Sequence, residues 1–198
     1  MRRARATSVL VPIVAVLVLG GCASRTLDVG YPETGANRAL LGGVAPRRVV
    51  VAPVTDRRAD TSRIGARPED GKALLTSRPV ADIVRDALIV EVGKNGHTVV
   101  PAPGDVVLAA DVEEFSLDAI GRSASTQYVG RVAIAVVVAD GQTGDRLLTR
   151  RYVGIKRLTA EADSQKAWRD VMDTALARTI RDVATDPELV MTVGRTPR

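Results

Sequence analysis

This chain carries few of the side chains that chemistry usually needs. Its 198 residues include one cysteine, one histidine, one tryptophan and one phenylalanine. A single cysteine excludes an internal disulfide, even in a compartment that would permit one. One cysteine and one histidine cannot furnish the ligand set of a zinc site. The aromatics are scarce (Tyr31, Phe115, Tyr128, Tyr152 and Trp168), and no basic stretch is interleaved with them. That removes the stacking platform on which single-stranded nucleic acid is bound. It also leaves Val, Ile, Leu and Ala to build the core. The apolar run Val9 to Leu19 is interrupted by Pro12 and is too short to span a bilayer comfortably.

That run belongs to an address label. Arg2, Arg3 and Arg5 precede it, and Leu19-Gly20-Gly21-Cys22 closes it with small residues, in the pattern of a secretory signal peptide. A plain signal would end in an Ala-x-Ala-like site. Here a small pair is followed by the lone cysteine, so the segment resembles a bacterial lipoprotein signal with its lipobox. The resemblance implies cleavage between Gly21 and Cys22, and acylation of Cys22 as the first mature residue. One acyl chain binds a membrane only marginally, whereas two or more hold it stably; lipoproteins of this kind carry three. The implied partner is therefore a membrane. Ala23 and Ser24 place no acid beside the lipidated position, which in enteric bacteria favours the outer membrane, with the domain facing the periplasm. The plainer alternative is an ordinary signal with an incidental cysteine.

Without the label, 25 of the 28 basic residues remain against 23 acids, a net charge of about +2. So mild an excess does not argue for nucleic acid. The chain divides into residues 1–21 as signal, 22–46 as lipidated cysteine and flexible tether, and 47–198 as a single α+β domain. The tether expectation rests on Gly30, Pro32, Gly35, Gly42, Gly43 and Pro46 without periodicity, with a coil reach of about 25 to 30 Å.

The domain reads as β-α-β-β-β-β-α: a mainly antiparallel sheet of four to five strands with two long helices packed on one face. Arg48 to Val54 is the first strand, and Ala73 to Thr76 a short edge strand. A helix capped by Ser77 follows, with Val80, Ile83, Val84, Ala87, Leu88 and Val92 at helical spacing, stopped by Gly93 or Gly96. His97 to Val100 begins a strand. Val106 to Ala119 alternates, with a phase change at Glu113-Glu114 that predicts a β-bulge. Gln127 to Ala139 is apolar on both faces and central, and Gly141 to Asp145 turns into Arg146 to Lys156. The second helix, about Asp163 to Ala184, carries a stripe through Trp168, Val171, Met172, Ala175, Leu176, Ile180 and Val183. Asp186-Pro187 ends it and a short tail follows.

Catalytic candidates are thin. His97 stands at a helix-to-strand junction with no Gly-x-Ser-x-Gly in the chain. The Gly65–Lys72 loop has five residues between its glycines and Ala73 after the lysine, so it lacks a phosphate loop's spacing and magnesium ligand. Asp111, Glu113 and Glu114 read as the wet side of a strand. No catalytic residue, metal or cofactor is expected. The arginines are the one feature that could become a mechanism. Arg47, Arg48, Arg57, Arg58, Arg63 and Arg67 flank the first strand and its loop, and Arg150, Arg151, Lys156 and Arg157 line the last. Arg57, Arg58, Arg63 and Arg67 are the candidate anion-binding surface, suited to an anionic glycan or lipid or to an acidic protein partner. The plain alternative is solvated charge that protects sheet edges.

Taken with the lipobox, the Val49 to Val54 strand and its Asp-Arg-Arg turn, Thr76-Ser77-Arg78 entering a helix, and Asp105 to Val112 opening the long strands, the chain resembles the YajG family of small outer-membrane lipoproteins. That resemblance implies a small α/β envelope module without catalytic residues. The expected function is a membrane-anchored, non-enzymatic binding or scaffolding module; the alternative is an accessory lipoprotein of envelope lipid or lipopolysaccharide transport.

Overall fold

The computed structural model describes residues 25–32, 39–67, 69–121, 125–160 and 164–195. Gly21 and Cys22 lie outside them. In chain order the strands are β1 (Arg25–Leu27), β2 (Arg48–Val51), β3 (Thr55–Asp56), β4 (Gly65–Ala66), β5 (Ala73–Thr76), β6 (Thr98–Val99), β7 (Val106–Gly121), β8 (Thr126–Asp140) and β9 (Arg146–Ala160). The helices are α1 (Val80–Lys94), α2 (Gln165–Thr185) and α3 (Pro187–Arg195), with one 3-10 turn at Leu40–Gly43.

Alternation builds the centre of the sheet. Val106, Leu108, Ala110 and Val112 of β7 are buried, as are Tyr128, Val132, Ile134, Val136 and Val138 of β8. Successive strand residues point to opposite faces, so these side chains make one apolar surface. In the antiparallel ladder Val112 pairs with Ile134 and Glu114 with Ala133, so Glu113 is the extra residue of a bulge. The bulge resets the phase, and Phe115 and Leu117 return to the core face.

The expected four-to-five-stranded antiparallel sheet is corrected: nine strands form one mixed sheet among the described residues, with three helices. β8 and β9 add antiparallel on one side of β7. The other side of β7 is shared end to end by β2, β3 and β4, all parallel to it. β6 flanks β2 and β1 flanks β5, also parallel. Two-residue strands are too short to show alternation; the 16-residue β7 holds β3 and β4 in line, and β2 holds β6.

α1 and α2 lie on the same face, where Leu88, Leu108 and Ile180 line one small cavity. The α1 stripe is buried as its spacing predicts. Ser77 is not its cap, however: Pro79 occupies that position without a side-chain bond, and the Ser77 hydroxyl donates to Asp28 at 3.0 Å. Gly96, at φ 87°, takes the left-handed conformation that ends α1. Ser164 does cap α2, accepting from the Ala167 N–H at 3.2 Å. Trp168 is 1% exposed and meets the Tyr128 ring edge-on at 6.2 Å.

The described parts of 22–46, the stretch expected as a tether, pack against the domain. β1 pairs with β5 from Arg25 onward, and Leu27, Val29 and Leu41 are buried. The Gly30 N–H donates to Asp173 at 3.0 Å, and the Ala39 N–H to Asn95 at 2.9 Å. The described residues of this strap thus meet α2 at Asp173 and the end of α1 at Asn95 before β2 begins. The residues after Pro187, expected as a tail, form α3, with Leu189 and Val193 buried.

Candidate functional site

The arginine-rich loop after β2 is organised by its own carboxylates. Arg58 is its staple: the side chain is 7% exposed, and its guanidinium donates to both oxygens of Asp56, at 2.9 and 2.8 Å. It also donates to the carbonyls of Arg63 (2.9 Å) and Phe115 (3.4 Å), which closes the loop onto β7. Arg63 pairs with Asp60 at 2.8 Å, and Asp60 also accepts the N–H and hydroxyl of Ser62. The Ser62 donors, then Arg63, hold the Asp60 carboxyl below its usual value. Arg57 pairs with Asp111 of β7 at 2.7 Å while staying 65% exposed. Arg67 lies near Glu69 and Asp70, at the turn of the β4–β5 hairpin. Arg57, Arg58 and Arg63 thus share the β3–β4 loop and Arg67 lies in the next turn, but each meets a carboxylate, and the surface is far less positive than its sequence suggests.

Two clefts flank the loop. One, of about 290 Å³, runs between it and β7, with Asp60, Glu113, Glu114 and Asp118 among its lining. The other, of about 300 Å³, runs between the loop and the β5–α1 junction. It is lined by Arg58, Arg63 and Arg78, by the hydroxyl residues Thr61, Ser62, Thr76 and Ser77, and by Ile64, Leu75 and Pro79. That lining contains no carboxylate. Arg78 reaches away to Asp86 at 2.6 Å, an exposed pair.

The remaining candidates separate. Arg150 pairs with Glu188 at α3, whereas Arg151 pairs with Glu113, a residue of the first cleft's lining, so the basic residues of β9 are divided and only Arg151 approaches the loop. Arg48 caps the β6–β7 connection, donating to the Pro103 carbonyl at 2.8 Å. The Gly65–Lys72 segment is a hairpin closed by Arg67 N–H to Lys72 O at 2.9 Å. His97 is 5% exposed and fully used by main chain. Its Nδ1 accepts the Arg47 N–H at 3.2 Å and its Nε2 lies 3.0 Å from Leu41 O, so the neutral ring with its proton on Nε2 satisfies both.

Sequence reasoning missed a buried polar cluster beside the cavity. Glu91 is 5% exposed on the inner face of α1 and accepts from Tyr31 and from Asn95 Nδ2, the latter at 3.0 Å. Lys94 lies 3.4 Å from the same carboxylate and 5.3 Å from the centre of the Tyr31 ring. Burial, then the hydrogen bond to Glu91, pushes the Tyr31 phenol well above its usual value. The signal was available, since Glu91 and Asn95 continue the face of Val84 and Leu88. Arg47, also buried, donates Nη2 to Gly194 O at 2.5 Å, a cation at the C-terminal end of α3. This cluster binds the strap to the helices.

Known proteins resemble the chain at the level of fold. A Xanthomonas campestris protein of solved structure is 17% identical, covers 86% of this chain and 95% of its own, and superposes with a TM-score of 0.57. A candidate lipoprotein of Caulobacter crescentus is 14% identical over 83% of this chain and 99% of its own, with a TM-score of 0.48. A minor lipoprotein of Acinetobacter baumannii is 12% identical over 69% of this chain and 92% of its own, with a TM-score of 0.40. No curated protein matches the chain. The family model described as uncharacterised lipoprotein matches residues 46–192, nearly all of the folded domain. The chain belongs to that lipoprotein family.

Proposed function

We propose that this lipoprotein is a YajG-type, non-enzymatic binding module of the outer membrane, held through acylated Cys22 with its domain in the periplasm. Its ligand is an oxyanion, phosphate or carboxylate, borne by an envelope glycan or lipid headgroup. The observation that carries this reading is the cleft of about 300 Å³ lined by three arginines and four hydroxyl residues without a carboxylate in the lining. Arg58 supplies a fixed wall. Arg63 and Arg78 are about half exposed, and their ion pairs with Asp60 and Asp86 are exposed too. Such pairs are worth about 0 to 1 kcal/mol, so exchanging the carboxylate for a ligand oxyanion costs little. A guanidinium meets an oxyanion through two parallel N–H bonds, which supplies orientation as well as attraction.

The test is titration of the protein with purified peptidoglycan and with a soluble phosphorylated glycan. Binding should weaken with salt, as the Debye length falls from about 10 Å at 0.1 M to about 3 Å at 1 M. Arg63→Ser with Arg78→Ser should remove it and leave the fold intact. Binding indifferent to the pair, or none at low salt, defeats the reading. Metabolic labelling with a clickable fatty acid checks the anchor separately: Cys22→Ala should lose the label that the parent carries.

A further inference from the structure

We infer that the domain rests directly on the leaflet that holds its anchor, touching anionic phospholipid with the end of the sheet formed by the β7–β8 hairpin and the start of α2. This rests on the reading of Cys22 as acylated. Arg25 already pairs with Leu74 of β5, so only residues 23 and 24 separate the acylated cysteine from the sheet. Three residue steps span at most about 10 to 11 Å. A domain on so short a lead cannot stand clear of the headgroups.

The register says which end faces down. Arg25 lies in the row Arg25–Leu74–Gly65–Leu117, and β1 runs opposite to β7. Followed backward from Arg25, the chain therefore leaves in the direction in which β7 runs on from Leu117 toward the hairpin. Ile120 is three residues beyond Leu117, and Cys22 is three residues before Arg25. At about 3.4 Å per residue Ile120 lies about 10 Å past that row, and a three-step lead lets Cys22 lie no more than about 10 to 11 Å past it. The leaflet that holds the anchor therefore cannot sit much beyond the depth of Ile120.

The chemistry of this end fits a lipid surface. Ile120 is 52% exposed, an apolar side chain at a hairpin tip. Arg157 of β9 is exposed on the same end, beyond the Leu117 row. Lys166 and Arg169, exposed on the first turns of α2, line a cleft of about 260 Å³ against Thr26 and Leu27 of β1. Asp118 and Asp170 are the nearby acids, and Asp118 is already paired with Arg131. Cations held beside an anionic leaflet within a Debye length are attracted to it, and an apolar tip enters the interface.

The experiment uses the mature, acylated protein in vesicles of phosphatidylethanolamine and phosphatidylglycerol. Since Cys22 is the chain's only cysteine and its thiol is acylated, an introduced cysteine is the sole labelling site. A bimane label on Ser125→Cys, beside the hairpin tip, should be quenched several-fold more by headgroup spin-labelled lipid than one on Gln142→Cys, in the turn at the opposite end. Ile120→Asp with Lys166→Glu and Arg169→Glu should lessen the difference, because the lead still holds this end near the leaflet, while the protein still floats with the vesicles. Equal quenching at the two sites in the parent overturns the inference and leaves the anchor standing. A parent that carries no acyl chain and fails to float overturns both together.

Discussion

Gly154 of β9 lies so close to Ala175 of α2 that a Cβ on the glycine would stand 2.1 Å from the alanine carbonyl oxygen. The same Cβ would meet Thr179 Oγ1 at 2.4 Å, and that hydroxyl lies 3.0 Å from Val132 O of β8. Gly130 of β8, two residues from the Val132 that faces Gly154, is crowded by the Val171 Cγ1 methyl at 2.7 Å and the Val171 carbonyl oxygen at 2.9 Å. Two glycines on adjacent strands therefore form the bed on which α2 lies, backbone against backbone.

Gly154→Val should destabilise the domain toward the upper end of the roughly 1 to 3 kcal/mol typical of overpacking, because the neighbours are main-chain atoms that cannot swing aside. Gly93→Ala is the contrasting control. It sits in α1 with open space around it, and should stabilise by about 0.5 to 1 kcal/mol through helix propensity. Urea midpoints compare the two, and a Gly154→Val midpoint equal to the parent's would show that α2 is free to shift.

The loop arginines should divide by burial. Arg58→Ala strands Asp56 and three carbonyls, and should cost about 2 to 4 kcal/mol, less than a fully buried pair because Asp56 keeps some solvent contact. Arg57→Ala breaks an exposed pair and should cost under about 1 kcal/mol. Thermal denaturation distinguishes them; equal losses would remove Arg58 as the staple of the loop.

Asp173 gives a pH signature. Burial raises its carboxyl above the usual value, and the Gly30 N–H offsets only part of that. In the unfolded chain it has the ordinary value. As pH falls through the folded value the native state takes up the proton first and gains stability. The gain is complete below the unfolded value and is lost as pH rises again. Asp173→Asn keeps an acceptor for Gly30 without the charge. It should therefore raise Tm near neutral pH and match the parent in acid. A difference of opposite sign, or one constant with pH, contradicts the assignment. Asp60, Asp70 and Asp140, held low by their turn donors, push the parent the other way on acidification, so only the difference between variant and parent isolates Asp173.

What the sequence disclosed follows the range of each signal. Long alternation placed β7, β8 and β9, down to the bulge at Glu113, and helical spacing placed the stripes of α1 and α2. Strands of two or three residues carry no periodicity, so β1, β3 and β4 are illegible, while β6 shows only through the short His97 to Val100 run before its prolines; all four exist because β2, β5 and β7 offer edges to them. Asp186-Pro187 was read as a stop. The same pair is a start, since Asp186 accepts the Glu188 N–H at 2.8 Å and proline suits the first turn of α3. At the site, the clustering of arginines was visible, but their pairing was not. Asp111 lies 54 positions from Arg57, and only the parallel docking of β3 on β7 brings them together.

The parallel pairing of β1 with β5 also decides how the molecule bears load. With the anchor proposed at Cys22, a pull on it would enter at the first described residue of β1 and run along the strand. The rungs Arg25–Leu74, Thr26–Leu75 and Leu27–Thr76 then resist together in shear, rather than peeling one after another. From β5 the force passes through β4 to β7 and the body of the sheet. Gly30 and Ala39, which bond to Asp173 of α2 and to Asn95 after α1, lie downstream of that path, so tension on such an anchor would meet the sheet before the helix layer.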